Sequence, residues 1–165
     1  MSPSSWPSTE ARRRRIFRLA FPLFLLLAFS PSGGQSISSS INMSFGSFSA
    51  GGGGTISLTA GGARTKTGGV LLTSQGALPA AAQFTLSGTP SANVVISLPL
   101  DGTTQLDDGS GHFMALNSFV SSPGPVGTLS GGGTLMLSVG ATLTVGNLQA
   151  PGSYSGFFTV TINYE

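Results

Sequence analysis

From residue 41 onward, apolar side chains recur at every second position, in short runs closed by Gly, Ser, Asn or Pro. A period of two places alternate side chains on opposite faces of an extended backbone, whereas a helix needs a period near 3.6. Ile41, Met43 and Phe45 follow it, as do Ile56, Leu58 and Ala60, then Ala82, Phe84 and Leu86. Val94, Ile96, Leu98 and Leu100 continue the pattern, and so do Leu135, Leu137 and Val139. The clearest run is the last: Phe158, Val160, Ile162 and Tyr164 on one face, Thr159, Thr161 and Asn163 on the other. Val70 with Leu72, residues 113–120, and Leu143 with Val145 add shorter pieces. Residues 61–69 read as a turn, residues 101–111 as the longest polar loop, and Gly140-Ala141 as a turn between two strands. The pattern predicts roughly eight or nine strands with turn signals about every 8 to 15 residues. That spacing favours an all-β, antiparallel sandwich or barrel, because a parallel sheet would need crossover helices.

Composition then removes whole classes of function. Only 7% of the residues are charged and there is no cysteine, so disulfide scaffolds and thiolate-ligated zinc sites are excluded. The formal charge of +2 suggests a nucleic-acid or membrane binder. Placing the charges removes that suggestion. Arg12, Arg13, Arg14, Arg15 and Arg18 precede an apolar run over residues 19–29 and a small-residue stretch over residues 30–36. This is the order of a secretory signal. The run of about eleven residues is too short for a bilayer core that needs roughly twenty, so no permanent membrane anchor is expected.

Cleavage after Ser32-Gly33-Gly34 would free Gln35. Ala28-Phe29-Ser30 is a poorer site because Pro31 follows it. Arg14-Arg15-Ile16-Phe17 also matches part of a twin-arginine signal, although a run of arginines produces such a match easily. Residues 1–34 are therefore expected to be a leader and residues 35–165 one exported domain, with residues 35–44 as a candidate N-terminal extension. Arg64 and Lys66 then face Asp101, Asp107, Asp108 and Glu165, two basic against four acidic residues. The electrostatic footprint that nucleic acid requires leaves with the leader.

Catalytic chemistry is equally sparse. A hydrolase needs a nucleophile and a base, and His112 is the sole histidine. Asp107 or Asp108 could complete a nominal triad with it. The sequence has no Gly-x-Ser-x-Gly elbow, however: Gly152-Ser153-Tyr154-Ser155-Gly156 puts tyrosine at the centre. Lys66-Thr67-Gly68 lacks the Ser-x-x-Lys that β-lactamases also require, and residues 51–54 lack the Lys-Ser/Thr of a phosphate loop. Arg64 and Lys66 are expected to solvate a hairpin tip. Asp101, Asp107 and Asp108 are the only acids that cluster. They are weak candidates for calcium, which takes six or more oxygens. No cofactor is expected.

Several landmarks, taken in order, resemble the exported bacterial family known as domain of unknown function 4402. They are Phe45-Gly46, Thr67-Gly68-Gly69-Val70, Ala82-x-Phe84-x-Leu86-x-Gly88 and Ile96-x-Leu98-Pro99. Met114 with Phe119, Val139-Gly140-Ala141-x-Leu143, Gly152-x-Tyr154-x-Gly156 and the terminal run complete the set. The resemblance covers about residues 40–165 and implies an immunoglobulin-like β-sandwich and export, with no activity attached. A looser resemblance is to pilin and spore-coat-U-type subunits, which also end in an alternating strand with tyrosine next to last. Such subunits lack a strand, and a chaperone or a neighbour's N-terminal extension supplies it.

This second resemblance implies an exported, non-enzymatic structural or surface subunit whose partners are copies of itself and a periplasmic chaperone. Its assembly strand would be Phe158, Val160, Ile162 and Tyr164, and its donor residues 35–43. A chain so poor in Lys and Glu has little with which to guard a sheet edge, which fits. The alternative is a self-contained binding module that recognises a glycan or cell-surface component through residues 61–69 and 101–111. In that case Tyr164 would simply finish the last strand with its hydroxyl in water.

Overall fold

Glycines and small polar residues cut the chain into short extended pieces, and these pair in a strictly antiparallel way. A computed structural model describes residues 34–165, so the expected leader, apart from Gly34, lies outside the described residues. The first strands are β1 (Ser36–Ile41), β2 (Ser44–Phe45), β3 (Phe48–Ser49), β4 (Gly54–Leu58) and β5 (Arg64–Gly68). Then come β6 (Leu71–Leu72), β7 (Pro79–Ala80), β8 (Ala82–Ser87), β9 (Asn93–Ser97) and β10 (Thr104–Asp107). β11 (Phe113–Ser122), β12 (Val126–Thr128), β13 (Thr134–Val145) and β14 (Thr161–Tyr164) complete the chain. There is no helix among the described residues.

β13 is the spine. One of its edges pairs with β11, which carries β10 outside it. The other edge is shared: residues 134–139 pair with β8, and residues 141–145 pair with β4. β8 carries β1 on its outer side, and β4 carries β5. A second sheet, in the order β12-β9-β14, lies across the first.

The expected turn at Gly140-Ala141 is a correction. Leu137, Val139, Ala141, Leu143 and Val145 are all buried along one unbroken strand, so the inward face never flips. The glycine is there for a steric reason. A Cβ at Gly140 would fall on the carbonyl oxygen of Leu58 and within 2.6 Å of the Thr59 carbonyl carbon. β13 thus passes from β8 to β4 at the one residue that allows β4 to end against it.

Two apolar clusters follow along β13. In one, Leu137, Val139, Ala82 and Leu86 meet Val94, Ile96 and Leu129, beneath the second sheet. In the other, Ala141, Leu143, Val145, Ile56, Leu58, Met114 and Leu116 meet Phe45 and Val70. Met43 and Phe119 pack against both. The second cluster is covered not by a full sheet but by the small ladders β2–β7 and β3–β6.

Arg64 holds that cover in place. Residues 61–69, expected as a turn, contain β5, and Arg64 does not solvate a hairpin tip. Its guanidinium donates to the carbonyls of Phe45 at 2.8 Å, Ser47 at 3.2 Å and Thr73 at 3.0 Å. Gly46 makes room, since a Cβ there would meet Arg64 Nη1 at 2.6 Å. Hydrogen bonds to a charged group are each worth about 1.5–3 kcal/mol, less where water competes. Arg64→Met is expected to cost about 2 kcal/mol in urea unfolding, and Arg64→Lys more than half of that, because an ammonium cannot reproduce the fork.

Candidate functional site

The terminal run keeps its alternation. Phe158, Val160, Ile162 and Tyr164 are half-buried and pack on the cluster under the second sheet, while Phe157, Thr159, Thr161 and Asn163 are exposed. Only Thr161–Tyr164 is paired, against residues 94–97 of β9. Phe158 reaches the first sheet, with its ring 6.3 Å from that of Phe84 at 88° and 5.3 Å from that of Phe119. The Tyr164 hydroxyl is not left to water: it donates to the Ser87 carbonyl at 3.0 Å. Gly88 is what admits the ring, since a Cβ there would lie 2.7 Å from Tyr164 Cε1.

β14 therefore runs over β8, while β12 lies over β13, where a Cβ at Gly127 would meet Leu135. β9 sits between them. The far edge of β14 faces outward on the β1 side and has no strand partner among the described residues. Glu165 N–H donates to Asn93 O on β9. Peptide groups alternate along a strand, so those of Ile162 and Tyr164 point to the open edge. No Lys, Arg, Asp or Glu guards residues 157–164, and Phe157 is 100% exposed.

Residues 36–41 of the candidate donor form β1, paired with β8 of their own chain: Ser36 opposite Ser87, Ile37 opposite Leu86, Ser38 opposite Thr85, Ser39 opposite Phe84. All six residues are exposed, so β1 is held chiefly by its backbone ladder and by the Ser38 and Ser40 hydroxyls, which donate to the carbonyls of Thr85 and Gln83, and no side chain of it is fully buried. The sequence gives little warning of this, because Ile37 and Ile41 are the only apolar residues of β1. Between the chain that follows β1 and residues 148–158 lies a groove of about 1190 Å³. Leu106, Met114, Leu116 and Leu143 form its floor, and none of its lining residues is charged.

The acidic candidates do not come together. Residues 101–111 are not one loop, because β10 divides them, with Thr104 buried and Leu106 half-buried facing inward. Asp101 accepts from Ser118 N–H at 2.6 Å, at the bulge of β11 where Ser118 has a φ of 50°. At the other end of β10, Asp107 accepts from Gly109 N–H at 2.7 Å. Asp108 accepts from the N–H groups of Ser110 and His112 and pairs with His112 Nδ1 at 2.7 Å. Among the described residues, no three His, Cys, Asp or Glu side chains gather to hold a metal. These carboxylates each satisfy backbone N–H groups, Asp101 at the bulge of β11 and Asp107 and Asp108 in the turn after β10.

Desolvation pushes the Asp108 carboxyl up. The Ser110 N–H, the His112 ring and the His112 N–H, together with the charge of that ring, outweigh it, so the group lies below its ordinary value of 3.8. A depressed folded value means that its stabilising contribution is present above the unfolded value and is lost as pH falls through the folded one. Asp108→Asn is therefore expected to flatten the acid limb of stability against pH below about pH 4, as read by urea midpoints.

A large antiparallel sheet faced by a three-stranded sheet and two small ladders, with apolar clusters between them along one long strand, defines an all-β sandwich. The chain belongs to the family described as Domain of unknown function (DUF4402), whose model matches residues 36–164. The match begins at β1, which makes that strand part of the family's domain. No curated protein and no solved structure matches the chain.

Proposed function

We propose that this protein is an exported, non-enzymatic structural or surface subunit that joins copies of itself by β-strand addition, in the manner of pilin-like or coat-like subunits. The observation that carries the reading is β1, the first strand of the described residues, with every residue exposed and no charge, and attached among those residues through one edge. Such a strand can exchange partners at little cost in packing. Two edges could receive it: the open edge of β14 with the residues that lead into it, where Phe158, Val160, Ile162 and Tyr164 alternate, and the edge of β8 once vacated. Unguarded, uncharged edges of this kind are where strands add. A periplasmic chaperone that covers such an edge before assembly fits the same logic.

The rival binding module would use residues 61–69 and 101–111, and strands β5 and β10 occupy much of both. Size-exclusion chromatography and negative-stain microscopy of the secreted protein test the reading. Concentration-dependent assemblies that disappear when residues 35–43 are deleted are expected. A protein that stays monomeric at every concentration, with or without those residues, would remove the proposal.

A further inference from the structure

We propose that the acceptor for a donated β1 is β8 of a second copy, in the register that β1 makes on β8 of its own chain. This rests on the assembly reading above and chooses between its two edges. The two edges differ in how many hydrogen bonds survive the move. Moving β1 from its own β8 to the open edge of β14 on a neighbour bares one ladder in order to fill another. Moving it to a neighbour's β8 restores every lost hydrogen bond with the same partners, Ser36 with Ser87, Ile37 with Leu86, Ser38 with Thr85 and Ser39 with Phe84. Exchange of an identical element between copies is a low-cost route to association.

The local geometry permits it. Only Asn42 and Met43 separate β1 from β2. Met43 is half-buried and packs against both apolar clusters, so it anchors the chain, and straightening at Asn42 would swing β1 outward. A six-residue strand spans about 20 Å, enough to reach across to a neighbouring molecule. No fully buried side chain holds β1 back, the hydrogen bonds of Ser38 and Ser40 to β8 are remade on a second copy, and β1 carries no charge that this copy would repel. Ile37 and Ile41, at 44% and 41% exposed, keep their environment on transfer. Reciprocal exchange closes a dimer, and one-way donation continues as a fibre. The intramolecular ladder has an effective concentration in the millimolar range for a short connection, so the exchanged form gains as protein concentration rises.

Because the natural chain has no cysteine, introduced thiols report on single pairings. Ser38→Cys chains are co-refolded at high concentration with Thr85→Cys chains or, separately, with Thr161→Cys chains, then mildly oxidised and run without reductant. A heterodimer in the first mixture that is lost on reduction, with none in the second, is the expected result. A single chain carrying both Ser38→Cys and Thr85→Cys should close on itself and lose assembly until reduced. A heterodimer formed with Thr161→Cys instead overturns β8 as the acceptor but keeps strand addition. No heterodimer in either mixture, with the unsubstituted protein monomeric at every concentration, overturns both.

Discussion

Gly140→Ala is expected to destabilise the protein by roughly 3 kcal/mol, at the upper end for overpacking. A buried position usually tolerates an added methyl by moving a side chain. Here the new carbon would meet backbone, the Leu58 carbonyl and Thr59 at 2.6 Å, and backbone held in a ladder cannot step aside. The strain falls where β13 exchanges β8 for β4, so relief requires prising β4 away from residues 141–145. Urea unfolding would show a lower midpoint. A midpoint unchanged within about 0.5 kcal/mol would mean that β4 does not end against this residue.

Leu137→Ala should cost about 3 kcal/mol, within the range for deleting a buried leucine and leaving a cavity. Leu137 is wholly buried between the two sheets. Leu143→Ala, in the other cluster, should cost a similar amount. The two residues lie six positions apart on one extended strand, which is roughly 20 Å, and share no cluster. Their effects should add within about 0.5 kcal/mol, as distant sites do. A coupling clearly larger than that would show that Met43 and Phe119, which touch both clusters, bind them into a single core.

The inward faces were legible wherever apolar residues alternate strictly. Ile56 and Leu58, Val94 and Ile96, Leu137 and Val139, and Phe158 through Tyr164 all point as the pattern requires. Polar edge strands were not legible. Arg-Thr-Lys-Thr-Gly in β5 and Thr-Gln-Leu-Asp in β10 read as turn and loop because their pairing is backbone work that leaves little mark on side-chain polarity. Gly140 misled for a related reason, since glycine marks both a turn and a close approach of two backbones. The terminal strand announced itself, but the place of β1 did not. Ser38 and Thr85 are 47 residues apart, and no apolar period connects them. The hydroxyl of Tyr164 found a carbonyl that only the stacking of β14 over β8 brings near.

Among the described residues there is a single ion pair, His112 with Asp108, on an exposed turn, and Arg64 is bound by carbonyl dipoles rather than by an acid. Up to physiological ionic strength, dissolved ions act on a protein chiefly by screening separated charges, and this architecture offers them almost nothing to screen. The balance between its folded and unfolded forms should be nearly the same in dilute buffer and at about 0.15 M salt.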